Sequence, residues 1–94
     1  GFTENRQIAA AAHEAGASAD VGLFGESSLG SLAALQLAAS LPSKALPAEV
    51  SGFLQFREEY VREPLRIVNG AIVLSDTPGF AALVDWEKVA SLHP

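Results

Sequence analysis

The first forty residues alternate helix, strand and helix, and this order constrains the fold more than any other feature of the sequence. Residues 3–15 are predicted to form a helix with Thr3 as its N-cap, ended by Gly16. Residues 18–24 alternate as a half-buried strand does, and a second helix is predicted over residues 28–41. Helix–strand–helix is the repeating unit of a parallel α/β sheet. Because a single parallel strand leaves its own backbone groups unpaired, we expect its neighbours to come from elsewhere.

The second half of the chain has a different character. Residues 44–62 are mixed and loop-like, with a short helical or extended stretch around residues 53–60. Residues 64–74 predict a β-hairpin, because an Asn-Gly pair typical of type I′ turns separates two β-branched runs. Residues 82–92 predict a short strand that leads into a final helical turn.

We therefore divide the chain into residues 1–50, a helix–strand–helix unit, and residues 51–94, a tail with the hairpin. An isolated hairpin is marginally stable in water, so the tail is expected to pack on structure outside this sequence. The chain contains no methionine and begins with Gly1. We expect it to be a piece of a longer protein.

Charge and composition argue against several classes of function. The 94 residues carry six basic and eleven acidic side chains, a net charge of −5, which disfavours binding to nucleic acid. The absence of cysteine excludes a disulfide framework and is typical of a cytoplasmic protein. No run of eighteen apolar residues is present, so we expect no membrane association.

The segment over residues 25–31, Gly-Glu-Ser-Ser-Leu-Gly-Ser, lies between the predicted strand and the second helix. The spacing of its two glycines matches a phosphate-binding loop, but Ser31 stands where that loop requires lysine. Ser27 stands where a nucleophile elbow has its serine, but Leu29 replaces the small residue that the elbow needs. Both chemistries are therefore disfavoured, and the serines are expected to cap the helix.

A hydrolase would pair Ser27 or Ser28 with a histidine, and the chain offers only His13 and His93. His13 is expected on the surface of the first helix, and His93 lies next to the end of the chain. A Ser–His–acid arrangement is therefore disfavoured as well.

Glu26 is the strongest candidate for chemistry. It lies at the C-terminal end of the predicted strand, where α/β barrels and open sheets place functional residues. A carboxylate there can act in acid–base chemistry, although a solvated loop carboxylate remains the alternative. Glu58, Glu59 and Glu63 form an acidic run that we expect to be a solvated face, and no spacing of acids or histidines suits a closed metal site.

Several short motifs, taken in their order along the chain, resemble the end of the catalytic barrel of the enolase superfamily, most closely its muconate cycloisomerase branch. The resemblance covers nearly the whole chain. Its motifs are Ala12-His13-Glu14-Ala15-Gly16, the run of residues 22–30, the run of residues 33–39, Leu46-Pro47-Ala48-Glu49, Glu63-Pro64-Leu65, Asn69-Gly70, Thr77-Pro78-Gly79 and Val84-Asp85.

This resemblance implies an α/β fold, the C-terminal portion of a modified TIM barrel, followed by a β-hairpin tail that packs on a capping domain. It implies an isomerase or lyase that abstracts a proton alpha to the carboxylate of a small acid. It also implies a divalent metal, Mg or Mn, whose ligands lie on earlier strands outside this sequence. The implied partners are the remainder of the same enzyme chain and further copies in a homo-oligomer, and the 94 residues alone are expected to be inactive.

Residue by residue, the resemblance assigns Glu26 as the eighth-strand acid near the substrate. It places Phe24, Ser27 and Ser28 beside Glu26 as substrate contacts. The Asp-x-Asp pattern of dipeptide epimerases is absent, which favours a cycloisomerase. The alternatives are an acid racemase or epimerase, an o-succinylbenzoate synthase, or a non-enzymatic α/β fragment that binds a partner chain.

Overall fold

The computed structural model describes residues 1–42 and 46–92. Two helices, α1 and α2, make up most of the first half, and a third helix, α3, ends the described tail. Within the described residues no β-strand is formed, and none of the helices is long and apolar enough to cross a membrane. The α-helices are α1 (Phe2–Glu14), α2 (Ser28–Ala39) and α3 (Trp86–Leu92), and the 3-10 turns are Gly52–Gln55 and Ala81–Leu83.

Helix α1 confirms the first predicted helix and begins one residue earlier than expected. Its N-cap is Gly1, so the prediction that Thr3 caps the helix is wrong. The Gly1 carbonyl accepts hydrogen bonds from the Asn5 backbone N–H at 3.2 Å and from the Asn5 side-chain amide at 2.9 Å. The side chain of Asn5 thus donates a second hydrogen bond within the first turn, and no described side chain accepts from the free N–H groups as a cap.

The end of α1 is the predicted glycine stop. Gly16 has a φ of +76°, in the left-handed region that glycine adopts without steric cost. Its N–H donates to the His13 carbonyl at 3.0 Å, and the Ala17 N–H donates to the Ala12 carbonyl at 2.8 Å. This pair of bonds is a Schellman motif, which satisfies the carbonyls that the last turn leaves free.

The strand predicted over residues 18–24 is not formed, which corrects that part of the fold prediction. Among the described residues, the backbone donors that reach it from the segment after α2 are the Leu46 N–H, 3.2 Å from the Ala19 carbonyl, and the Glu49 N–H, 2.9 Å from the Val21 carbonyl. A parallel strand needs a regular ladder on its edges, and two bonds along one side do not make one.

The tail contains the predicted tight turn, but the predicted hairpin over residues 64–74 is unconfirmed. Asn69 and Gly70 have φ values of +51° and +74°, and positive φ at both central residues is the signature of a type I′ turn. The flanking Val68 and Ala71 exchange backbone hydrogen bonds of 2.8 and 3.1 Å. The pairing extends no further among the described residues, and Val73 is 86% exposed, so no sheet covers the β-branched runs.

Residues 82–92 also differ from the strand-then-turn prediction. A 3-10 turn over Ala81–Leu83 comes first, and a single antiparallel bridge then joins Val84 to Val61 before α3 begins. Both valines are buried, and Arg62 supports the bridge by donating its Nε–H to the Val84 carbonyl at 3.1 Å. The C-terminal part of the chain is therefore held against residues 60–62.

The core is small and joins the two halves of the chain. Helix α2 contacts both α1 and the 3-10 turn Gly52–Gln55. The buried apolar side chains are Ala9, Leu32, Val50, Phe53, Val61 and Val84.

Two glycines bring the backbone close around Glu26. A Cβ added at Gly52 would overlap the Glu26 carbonyl oxygen and would lie 3.0 Å from the Glu26 backbone nitrogen. A Cβ added at Gly30, in the first turn of α2, would lie 2.6 Å from the Cβ of Glu26. Glu26 is thus held between α2 and the 3-10 turn, with no room for a methyl group on either side.

We expect Gly52→Ala to lower the free energy of unfolding by about 1–3 kcal/mol, because the new methyl group must displace the backbone of Glu26. Gly22→Ala is the matched control, since no atom lies within 4 Å of a Cβ at that position. Urea denaturation followed by circular dichroism measures both variants. Equal stability of the two variants would show that the close approach at Gly52 is not a packing constraint.

Candidate functional site

The carboxyl group of Glu26 is held at one oxygen and left without a partner at the other. Its Oε2 accepts a hydrogen bond of 2.9 Å from the Phe24 backbone N–H. Its Oε1 is shielded from solvent and has no hydrogen-bond partner within the described part of the chain. A buried polar atom without a partner is costly and uncommon, and such atoms often occur where a ligand or another element completes the structure.

The other predicted substrate contacts lie beside Glu26 in the chain but differ in exposure. The Phe24 side chain is 98% exposed, whereas Ser28 is only 2% exposed. Ser27, one of the two serines predicted to cap α2, occupies the N-cap position, but its side chain makes no capping hydrogen bond.

Glu59 supplies the cap that the serines do not. The Ser28 backbone N–H donates to both carboxylate oxygens of Glu59, each at 3.0 Å. The first turn of α2 contains no acidic residue of its own, so this carboxylate is the negative charge placed at the positive end of the helix dipole.

Sequence reasoning missed this contact, and the expectation that Glu59 belongs to a solvated face is wrong. The two residues are 31 positions apart, and no local motif links them. The sequence offered only indirect evidence for this contact. Because the first turn of α2 contains no acidic residue, its free amide groups need an acceptor from another part of the chain.

An ion pair lies next to this cap. Lys88 Nζ in α3 is 2.7 Å from an oxygen of Glu58. The hydrogen bond from Lys88, together with its positive charge, holds the pKa of Glu58 below its ordinary value of 4.5. The hydrogen bond to Glu58 in turn raises the pKa of Lys88 above 10.5. The ion pair links α3 to Glu58, the residue that precedes Glu59.

The described residues do not fit a metal ion by themselves. No group of three or more histidine, aspartate or glutamate side chains there is arranged to hold one. His13 lies exposed on α1, and no hydrogen bond among the described residues joins it to Ser27 or Ser28. His93 lies outside the described residues.

A cleft in the tail does not include Glu26 in its lining. It has a volume of about 790 Å³ and is lined by residues of the tail and by Leu32 of α2. None of the predicted site residues lines it. We place the candidate site at Glu26, because the buried unpaired oxygen is a chemical feature that the open cleft lacks.

Comparison with known proteins identifies the family. The chain matches the family model for enolase C-terminal domain-like proteins over residues 1–89, and it belongs to that family. The match confirms the resemblance to the enolase superfamily and fits the predicted part of an α/β barrel.

Two curated relatives are muconate cycloisomerases. The chain is 28% identical over 89 residues to muconate cycloisomerase 1 of Rhodococcus opacus, an alignment that covers 95% of this chain and 24% of that protein. It is 32% identical over 79 residues to muconate cycloisomerase 1-2 of Acinetobacter lwoffii, which covers 80% of this chain and 20% of that protein. The chain thus spans a quarter or less of the length of these relatives. No solved structure matches it.

The Glu58–Lys88 pair predicts a pH-dependent contribution to stability. The pKa of Glu58 is lowered from 4.5 in the folded state. The stabilisation of the fold by ionised Glu58 is therefore present above pH 4.5 and is lost as the pH falls through the lowered pKa. The pKa of Lys88 is raised from 10.5 in the folded state. The stabilisation of the fold by protonated Lys88 is therefore present below pH 10.5 and is lost as the pH rises through the raised pKa.

A double-mutant cycle with Glu58→Gln and Lys88→Met, measured by urea denaturation, tests this prediction. We expect a small favourable coupling at neutral pH, as for other exposed pairs, that fades in acid. A coupling of the same size at neutral pH and well below pH 4.5 would contradict the assignment.

Proposed function

We propose that this chain is the C-terminal part of the catalytic barrel of a muconate cycloisomerase-like isomerase. The proposed enzyme is cytoplasmic and abstracts a proton alpha to the carboxylate of a small acid substrate. The observation that carries the proposal is the buried, unpartnered Oε1 of Glu26 at the start of α2. The family match and the two cycloisomerase relatives support it.

In this proposal Glu26 is the catalytic residue of the chain. The Phe24 amide orients the carboxyl group through Oε2, and Oε1 is left without a partner among the described residues. A carboxyl oxygen shielded from water can hydrogen-bond to the substrate or carry a proton without competition from solvent.

Phe24, Ser27 and Ser28 are proposed as substrate contacts beside Glu26. The exposed Phe24 ring offers an apolar surface next to the carboxyl group. The Ser28 amide is already bound by Glu59, so this serine would contribute through its side chain.

The proposal places the rest of the active site outside this chain. A divalent metal, Mg or Mn, belongs to the proposed enzyme, and its ligands would come from the remainder of the same enzyme chain, which the greater length of the relatives allows. That remainder would also cover exposed apolar side chains such as Ile8 and Val73. A homo-oligomer is part of the same proposal.

We expect Glu26→Gln in the complete enzyme to lower turnover at least about tenfold, because the amide cannot exchange a proton as a carboxyl group does. Glu14→Gln, which changes an exposed acid at the end of α1, is the control with the same chemical change. Steady-state kinetics with both variants measures the effect. Unchanged turnover in Glu26→Gln would remove Glu26 from the mechanism.

We expect the complete enzyme to exchange the alpha proton of its acid substrate for deuterium in a metal-dependent reaction, and the isolated 94-residue chain to show no exchange. Proton NMR in heavy water, run with candidate acids, measures both. Inverted stereochemistry at the alpha carbon would instead indicate a racemase or epimerase, and an elimination product an o-succinylbenzoate synthase. Exchange by the isolated chain would contradict the proposal, and no exchange by the complete enzyme would favour a non-enzymatic fragment that binds a partner chain.

A further inference from the structure

Glu59 connects the C-terminal tail to the helix that begins beside Glu26. We propose that Glu59 is a positioning residue: it holds the first turn of α2 in place and thereby sets the orientation of the Glu26 carboxyl group. The inference rests on the proposed function of Glu26 and adds a residue of the tail to that site.

The first step is the contact itself. Both oxygens of Glu59 lie 3.0 Å from the Ser28 nitrogen, so the carboxylate is centred on this one amide. Ser28 is 2% exposed, so water has little access to compete for the amide. The side chain of Ser27 makes no capping bond and does not duplicate the contact. Removal of Glu59 therefore leaves the Ser28 amide without an acceptor.

The second step is the close packing between α2 and Glu26. Gly30 approaches the Glu26 side chain so closely that a Cβ would lie 2.6 Å from the Cβ of Glu26. Ser31, which is fully buried, places its Oγ 3.5 Å from the Glu26 carbonyl oxygen. Gly52 closes the opposite side of the Glu26 backbone. A shift of the first turn of α2 must therefore move Glu26 as well, because no free space separates them.

The third step is the anchorage of Glu59 in the tail. The carbonyl of the next residue, Tyr60, accepts the Asp85 N–H at 2.7 Å, and the Arg62 N–H donates to the Leu83 carbonyl at 2.9 Å. The preceding residue, Glu58, pairs with Lys88 in α3. The position of Glu59 is therefore set by contacts with the C-terminal part of the chain.

These contacts distinguish positioning from catalysis. Both oxygens of Glu59 are engaged by the Ser28 amide, whereas Oε1 of Glu26 has no partner among the described residues. Glu59 acts on the reaction through Glu26. Its loss should lower kcat much more than it raises KM, since misplacement of a reacting group by about 1 Å can reduce the rate on the order of 100-fold.

The experiment compares Glu59→Ala and Glu59→Gln in the complete enzyme, with Glu63→Gln as the matched control. Glu63 is an exposed acid of the same tail segment, and it makes no hydrogen bond to α2 among the described contacts. We expect kcat to fall roughly 10- to 100-fold in Glu59→Ala, with a much smaller change in KM. Glu59→Gln, which retains an acceptor oxygen, should recover part of the loss, and Glu63→Gln should match the wild type.

Amide hydrogen exchange at Ser28 gives a second readout that does not depend on turnover. We expect faster exchange in Glu59→Ala, an intermediate rate in Glu59→Gln and the wild-type rate in Glu63→Gln. If Glu59→Ala does not fold, Glu59→Gln, which nearly preserves the side-chain shape, decides the question by the same two measurements.

Three results would overturn the inference. The first is a Glu59 variant that loses protection at Ser28 but retains the wild-type kcat, and the second is unchanged protection at Ser28 in Glu59→Ala. The third is an equal fall of kcat in Glu63→Gln. An inactive wild-type enzyme would overturn the proposed function, and the positioning role of Glu59 with it. An active wild type with an equally active, folded Glu59→Ala overturns the positioning role alone.

Discussion

The contact between the Glu59 carboxylate and the Ser28 amide joins the two halves of this chain. The start of a helix leaves backbone donors unpaired, and burial of Ser28 prevents water from satisfying its amide. A carboxylate from 31 residues away does so instead, at 3.0 Å to each oxygen. The loop that carries Glu26, the start of α2 and the C-terminal tail consequently depend on one another.

A second constraint acts on the same loop from the other side. Gly52 and Gly30 permit backbone and helix to approach Glu26 more closely than any residue with a side chain would allow. In this packing, one carboxyl oxygen of Glu26 accepts a hydrogen bond from the Phe24 amide, and the other has no partner among the described residues. In a member of the enolase C-terminal domain-like family, that oxygen is the natural place for the chemistry we propose.

The helices and turns follow from local sequence more closely than the strands do. The presence of helix α1, of its Gly16 stop and of the Asn69-Gly70 turn is as predicted, although the N-cap is Gly1 and not Thr3, because helix propensity and positive φ are properties of a few adjacent residues. The strand over residues 18–24 is not formed, and the hairpin over residues 64–74 is unconfirmed beyond its turn and first bridge, because strands require partners that local sequence does not supply.

The sequence by itself determined the family, the order of the main helices and the position of Glu26 between a predicted strand and α2. Only the tertiary structure decided which group caps α2: the adjacent Ser27 does not, and the distant Glu59 does. The physical reason is that a cap requires an acceptor at hydrogen-bond distance from a buried amide, and the packing of the tail brings Glu59 to that place.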